Sequence, residues 1–189
     1  MIMTKYFLGT LLTTLFGCSV SNANAVEPPL SFYSLKARTL EGEEFDFAQL
    51  KGKRVLIVNT ASECGFTPQY KELQALFDEA GGEQFVILGF PSNDYGNQES
   101  GSESDIKAFC QKNYGVTFLM MAKVHTKGSE QHPVYQWLTQ KEKNGAKNAM
   151  VLWNFQKFLI NEKGQWLSSH ISSVSPMSST IRNFALGKQ

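Results

Sequence analysis

Cys64 is the residue of this sequence with the clearest capacity for chemistry. It lies within residues 59–67 (NTASECGFT), between the apolar run 55–58 (VLIV) and a segment of helical spacing that begins at Gln69. A cysteine between a buried strand and a helix is surrounded by outward-pointing backbone N–H groups and a positive local dipole. That environment favours the thiolate, which is the nucleophilic form of cysteine. A packed core cysteine and half of a structural disulfide are the alternatives for this position.

A second cysteine, Cys110, lies in a segment that predicts a helix. Ser102 and Asp105 resemble a capping pair at its start, and apolar residues follow on the same side as Cys110. The preceding loop, residues 91–101, is long and rich in Asn, Gly, Ser and Gln. A loop of that length and polarity is typical of a functional segment rather than a simple connection.

The segments on either side of Cys64 predict a β-α-β unit. Residues 55–58 and 85–90 are continuous apolar runs, which are typical of buried parallel strands. Between them, residues 69–80 repeat apolar side chains at helical spacing, with Thr67 as N-cap and Pro68 at the first helical position. The predicted inner face of this helix consists of Tyr70, Leu73, Leu76, Phe77 and Ala80.

The remaining elements predict an α/β protein with a thioredoxin-like fold. They are strands at 31–37 and 44–47, helices from Ser102 and Pro133, a hairpin around 161–164 and a final helix from Ser175. Their order predicts a central mixed β-sheet flanked by helices on both faces, with an N-terminal β-hairpin. A Cys-x-x-Cys motif is missing, because Gly65, Phe66 and Thr67 follow Cys64. The simplest disulfide-exchange mechanism is therefore removed.

The composition indicates one ordinary globular domain. The chain has 189 residues, a formal net charge of +1 and 42% hydrophobic residues. At this size a fold needs neither a metal nor a disulfide for stability. The near-neutral charge argues against nucleic acid as a partner. The three cysteines and three histidines show no zinc-site spacing, and we expect no metal and no cofactor.

Residues 1–25 resemble a bacterial export signal. Lys5 supplies a positive charge, residues 6–17 are mostly apolar, and residues 23–25 (ANA) match an A-x-A cleavage site. Cleavage there leaves one domain, residues 26–189, in an exported, periplasmic protein. As an alternative, residues 15–18 (LFGC) resemble a lipobox, so that Cys18 would be lipidated and would anchor the protein to a membrane. An uncleaved anchor is disfavoured, because the apolar run is short for a bilayer.

Three separate blocks of the chain together carry a family resemblance. They are residues 59–67 (NTASECGFT), 89–99 (GFPSNDYGNQE) and 153–159 (WNFQKFL). In that order they resemble the peroxidatic-cysteine motif, the Phe-Pro-Cys-Asn-Gln-Phe-Gly-x-Gln-Glu block and the Trp-Asn-Phe block of the glutathione peroxidase family. The resemblance extends from about Phe32 to Phe184. Asp94 departs from it, since the family usually has glutamine there.

The resemblance implies a peroxidase whose catalytic tetrad falls on Cys64, Gln98, Trp153 and Asn154. Residues 110–118 (CQKNYGVTF) resemble the resolving-cysteine helix of the thioredoxin-dependent, non-selenium members, which implies that Cys110 is the resolving cysteine. Taken singly, Gln98 would be a solvated loop residue, Trp153 a core aromatic and Asn154 a turn or capping residue. The assignment of the three therefore depends on the family blocks.

The implied reaction is the reduction of hydrogen peroxide and of organic or lipid hydroperoxides. The Cys64 thiolate attacks one peroxide oxygen, while neutral N–H donors on Gln98, Asn154 and Trp153 stabilise the leaving oxygen. The product is a sulfenic acid, with which Cys110 condenses to a disulfide after its helix opens locally. A thioredoxin-like reductant or glutathione then restores both thiols.

Three other interpretations stay open for this sequence. A peroxide sensor or redox relay would pass the oxidation of Cys64 to a partner's thiol. A silent binding domain would use the same scaffold without chemistry, and a structural Cys64–Cys110 disulfide would only stabilise the fold. The short segment 141–150 resembles the monomeric family members, so we expect a monomer. We also expect the carboxylate of Glu63 to point to solvent.

Overall fold

A five-stranded mixed sheet forms the centre of the structure. The computed structural model describes residues 28–188, so the predictions for residues 1–25 and for Cys18 lie outside the described residues. The strands are β1 (Lys36–Arg38), β2 (Glu44–Asp46), β3 (Arg54–Thr60), β4 (Phe85–Pro91), β5 (Leu119–Met120), β6 (Lys157–Ile160) and β7 (Trp166–His170). β1 and β2 pair as an antiparallel hairpin, and the others are ordered β5-β4-β3-β6-β7. β3 runs parallel to β4 and antiparallel to β6.

Helices cover both faces of this sheet, as expected. They are α1 (Gln69–Ala80), α2 (Glu103–Tyr114), α3 (Pro133–Thr139), α4 (Lys141–Asn144) and α5 (Ser179–Leu186). One core cluster joins the sheet to α1, α2 and α5, and a second joins its other face to α3 and the segment before β1. Alternate residues of β3 supply the two clusters, because successive side chains of a strand point to opposite faces. The predicted thioredoxin-like arrangement is confirmed.

Two predicted elements are shorter than expected because serine side chains bind the local backbone. Ser31 accepts a hydrogen bond from the Tyr33 N–H (3.3 Å), so residues 32–34 form a 3₁₀ turn rather than the start of a strand. Ser175 Oγ accepts one from the Met177 N–H (3.0 Å), and α5 begins only at Ser179. Such local bonds compete with regular secondary structure.

The ends of α1 and α2 are built differently. Ser102 and Asp105 form the predicted capping box, with Asp105 N–H to Ser102 Oγ at 3.3 Å and Ser102 N–H to Asp105 Oδ2 at 3.0 Å. α1 has no side-chain cap, because Thr67 binds within the preceding turn instead. The prediction that Thr67 caps α1 was therefore wrong. Of the helices in residues 28–188, none has the length and apolar character needed to cross a membrane.

Candidate active site

Cys64 lies in a tight turn between β3 and α1, with 7% of its surface exposed. Thr67 closes this turn, since its Oγ1 accepts a hydrogen bond from the Cys64 N–H and donates one to the Ala61 carbonyl, both at 2.9 Å. The N–H of Phe66 points at Cys64 Sγ, with 3.4 Å between nitrogen and sulfur. Glu63, the residue immediately before Cys64, is exposed, as expected.

The turn that carries Trp153 and Asn154 is fastened to β3 by Asn59. Asn59 Nδ2 donates to the Trp153 carbonyl (3.1 Å), and its Oδ1 accepts from the Gln156 N–H (3.1 Å). The Asn59 carbonyl accepts from the Phe155 N–H (2.6 Å). These bonds hold Phe155 at φ +62°, a left-handed conformation that is unfavourable for a bulky residue. Sequence reasoning missed this role, although a buried asparagine in an apolar strand is a signal of it.

The side chains of Gln98 and Asn154 are joined by a hydrogen bond. Asn154 Nδ2 donates to Gln98 Oε1 at 3.0 Å, and it lies 3.4 Å from the Tyr95 carbonyl. The Asn154 amide N–H groups are thus directed at fixed carbonyls. This arrangement orients Gln98, whose own amide N–H groups make no hydrogen bond within residues 28–188 and are open to a ligand. The contact of Asn154 with a peroxide, which the sequence led us to expect, stays a prediction.

Trp153 is a partly exposed aromatic at the edge of the site. Its surface is 39% exposed, and its ring centroid lies 5.9 Å from that of Tyr95. Tyr95 is itself buried and donates a hydrogen bond to the Val151 carbonyl (3.0 Å), while Lys127 Nζ lies 4.4 Å from the Tyr95 ring centroid. The alternative of a core aromatic for Trp153 does not fit this exposure.

The structure brings the Cys64 turn and the Gln98 loop together through the backbone. The Glu63 N–H donates to the Gln98 carbonyl at 3.0 Å. Within residues 28–188, no hydrogen bond from the side chain of Gln98, Trp153 or Asn154 reaches Cys64 Sγ. A cleft of about 320 Å³ opens at this junction, and its lining includes Ser62, Glu63, Gln98, Glu99, Ile106 and Phe109. The tetrad assignment stays a prediction.

Cys110 is a free, buried thiol on α2, and Cys64 is free as well. Burial raises the pKa of the Cys110 thiol to about 11, and the nearby Tyr70 hydroxyl opposes that shift. Both cysteines belong to the same core cluster. The two sulfurs are not bonded to each other in this structure. The interpretation of a standing structural disulfide does not fit this state.

Asp94, the departure from the family pattern, binds a neighbouring loop and is mostly buried. Its Oδ2 accepts hydrogen bonds from the Thr126 N–H (2.6 Å) and from Ser92 Oγ (3.0 Å), and its Oδ1 pairs with His125 Nδ1 (2.7 Å). Although burial raises the pKa of Asp94, these hydrogen bonds lower it below its usual range. Asp94 therefore holds the loop behind Tyr95 instead of placing a free charge in the cleft.

Glu99 is a site residue that sequence reasoning quoted but did not assign. Only 2% of its surface is exposed, and burial raises its pKa to about 7, partly offset by Ser62 and Lys123. Its position inside the second family block was the available signal. In residues 28–188, no cluster of three His, Cys, Asp or Glu side chains is arranged to hold a metal ion.

Comparison with known proteins places these features in one family. The family described as glutathione peroxidase matches residues 32–139. A glutathione peroxidase-like peroxiredoxin of Schizosaccharomyces pombe is 51% identical over 146 residues, which cover 77% of this chain and 91% of the relative. The glutathione peroxidase-like peroxiredoxin HYR1 of Saccharomyces cerevisiae is 48% identical over 147 residues, with 78% and 90% covered.

Solved structures with the same architecture agree with this result. The structure of Trgpx in its apo form shares 35% identity and a TM-score of 0.62, and the match covers 82% of this chain and 95% of that one. A thioredoxin-family thiol:disulfide interchange protein from Chlorobium tepidum has a TM-score of 0.62 at 19% identity, covering 87% and 100%. The second likeness concerns the fold alone.

Proposed function

The chain belongs to the glutathione peroxidase family, and from this premise we propose that Cys64 reduces hydroperoxides through a sulfenic acid that Cys110 resolves. The protein is thus an oxidoreductase of the thiol peroxidase type. One observation carries the residue assignment. The Cys64 sulfur faces the Phe66 N–H, the Cys64 turn is hydrogen-bonded to the Gln98 backbone, and a second free thiol, Cys110, lies in the same core cluster.

In the first half-reaction the Cys64 thiolate attacks one oxygen of the O–O bond. Gln98, oriented by Asn154, and the indole N–H of Trp153 donate to the oxygen that leaves as water or an alcohol. The donors are neutral and held by their neighbours, so little reorganisation is needed when charge develops. The half-open position of Trp153 leaves room for organic as well as small hydroperoxides.

In the second half-reaction the Cys110 thiol condenses with the Cys64 sulfenic acid and releases water. The disulfide is then reduced by a dithiol of the thioredoxin type, or by glutathione. The names of the relatives, which combine peroxidase and peroxiredoxin, support this assignment. Resolution by Cys110 also protects Cys64 from further oxidation to the sulfinic acid.

Stopped-flow fluorescence of the reduced protein mixed with hydrogen peroxide tests this cycle. We expect a fast second-order change reported by Trp153, followed by the loss of two free thiols. Cys64→Ser should abolish both signals, whereas Cys110→Ser should retain one round of sulfenate formation without disulfide. Unchanged thiols in the wild-type protein after one equivalent of peroxide would show that the site is silent.

We further propose that residues 1–25 direct export and that residues 26–189 act as a soluble periplasmic monomer. The alternative is a form lipidated at Cys18. Intact mass spectrometry of the protein recovered from cells distinguishes the two, since cleavage after Ala25 and a lipidated Cys18 give different masses. An N-terminus at Met1 would contradict export. Sedimentation that gives a tetramer would contradict the monomer.

A further inference from the structure

Unpartnered polar atoms are concentrated around the two cysteines. In residues 28–188, the buried side-chain oxygens without a hydrogen-bond partner include Thr60 Oγ1, Ser62 Oγ, Tyr70 Oη, Glu99 Oε2 and Asn154 Oδ1. Buried polar atoms are normally paired, so a group of unpaired ones at one place calls for a functional explanation. Glu99 differs from the other four because it can bind and release a proton near neutral pH.

Glu99 is the one acidic residue in 28–188 that is buried. Its backbone is held firmly, since its N–H donates to Asn93 Oδ1 (2.8 Å) and its carbonyl accepts from Lys123 Nζ (3.2 Å). The lysine therefore binds the main chain near Glu99, and Glu99 Oε2 remains without a partner. A fixed carboxyl with an open oxygen is suited to proton transfer.

Glu99 lies between the Cys64 turn and α2, because one cleft is lined by Ser62 and Glu99 together with Ile106 and Phe109 of that helix. On one side, Ser62 of the Cys64 turn favours the ionised carboxylate. On the other side, the charge of Glu99 acts on Cys110 and on Tyr70. The backbone bond from Glu63 to Gln98, the residue before Glu99, keeps this segment attached to the Cys64 turn.

We propose that Glu99 is the catalytic acid–base of the resolution step, taking the proton from Cys110 and returning it to the oxygen that leaves Cys64. This inference rests on the proposed peroxidase cycle. Glu99 accepts the thiol proton as Cys110 sulfur attacks the sulfenic sulfur. The S–S bond forms, the S–O bond breaks, and the departing hydroxide takes the proton from Glu99 to become water. The carboxylate is regenerated, and no further reactant is needed.

This step needs a base, because burial holds the Cys110 thiol in its protonated form. On the folded helix, with its pKa at about 11, only about one Cys110 in ten thousand is a thiolate at pH 7, and at the ordinary cysteine pKa of about 8.5 in the opened helix the fraction is still only about one in thirty. Burial raises the pKa of Glu99 to about 7, close to the pH at which acid–base catalysis is most effective. The groups that face Glu99 are Ser62, Glu63 and Lys123 on the loops, with Tyr70 on α1 and Cys110 on α2.

Single-turnover kinetics on the full chain, with Glu99→Gln and a matched Glu83→Gln control, test this proposal. Glu83 lies in the exposed loop between α1 and β4, so its substitution removes the same charge without touching the cleft or α2. Sulfenate formation is followed by fluorescence. Disulfide formation is followed by quenching with an alkylating reagent and measuring the mass of the products by mass spectrometry. For Glu99→Gln we expect sulfenate formation within about twofold of wild type and disulfide formation slowed by about 10- to 100-fold.

A second measurement needs no variant and covers the case in which Glu99→Gln does not fold. In the wild-type protein, the rate of disulfide formation should rise with pH through an inflection near 7 and then level off. A rate that climbs tenfold per pH unit up to pH 9 would overturn the proposal, and so would a Glu99→Gln rate equal to that of Glu83→Gln. A wild-type protein that forms no disulfide at all would instead contradict the peroxidase cycle itself.

Discussion

We expect opening of α2 to control the access of Cys110, and we expect the helix cap to set how often α2 opens. Cys110 is 1% exposed on the folded helix, whereas the Cys64 turn is held by hydrogen bonds of Thr67 and Glu63. The helix is therefore the segment expected to move. Its N-terminus depends on the capping box, in which Ser102 Oγ accepts the Asp105 N–H.

Ser102→Ala removes this acceptor and leaves the bond from the Ser102 N–H to Asp105 Oδ2 in place. Loss of a serine N-cap costs about 1 kcal/mol, which corresponds to about a fivefold larger population of the open helix. We expect Ser102→Ala to form the disulfide about five times faster than wild type under single-turnover conditions. Sulfenate formation at Cys64 should stay unchanged.

Alkylation of Cys110 in the Cys64→Ser background measures the same opening without any peroxide chemistry. Adding Ser102→Ala should raise the alkylation rate about fivefold. Ser178→Ala is the matched control, because Ser178 occupies the N-cap of α5 and makes no capping hydrogen bond. A Ser102→Ala variant that loses thermal stability but alkylates Cys110 at the wild-type rate would refute the link between the cap and access.

Three further outcomes follow from buried groups. Burial raises the carboxyl pKa of Glu99 from 4.5 to about 7, so as the pH rises from 4.5 to 7 wild type should lose up to about 3 kcal/mol of unfolding free energy relative to Glu99→Gln. Unfolding free energies from urea denaturation that change equally with pH in the two proteins would contradict this. The pKa of Lys157 is lowered from 10.5 to about 8, so wild type should gain stability relative to Lys157→Met between pH 8 and 10.5; equal slopes in the same assay would oppose it. Asn154→Ala should slow sulfenate formation at least about tenfold, and a stopped-flow rate equal to wild type would remove Asn154 from the site.

The opposite signs for Glu99 and Lys157 have one cause. Burial disfavours the charged form of each group, which raises the pKa of an acid and lowers that of a base. Lys157 donates to the carbonyls of Ser172 (3.1 Å) and Val174 (2.7 Å), so its ammonium fastens the loop before α5. Glu99 has an unpartnered oxygen instead, and that difference separates a structural charge from a reactive one.

Most of the fold followed from local patterns. The apolar runs at 55–58 and 85–90, with helical spacing between them, predicted β3, α1 and β4, and the capping pair predicted the start of α2. β5 was missed because Leu119–Met120 is too short to show alternation. The starts of β1 and α5 were misplaced because single serine hydroxyls decided them.

The peroxidase family was readable from short, contiguous motifs, since those motifs bring their residues together along the chain. Contacts between distant residues required the tertiary structure. The Asn154–Gln98 bond depends on the pairing of β3 with β6 and on the path of the loop after β4. The burial of Glu99 between the Cys64 turn and α2 depends on how α2 docks against the turn. Periodicity determines which face of an element is inside, but only packing determines which side chains meet there and how far their proton affinities shift.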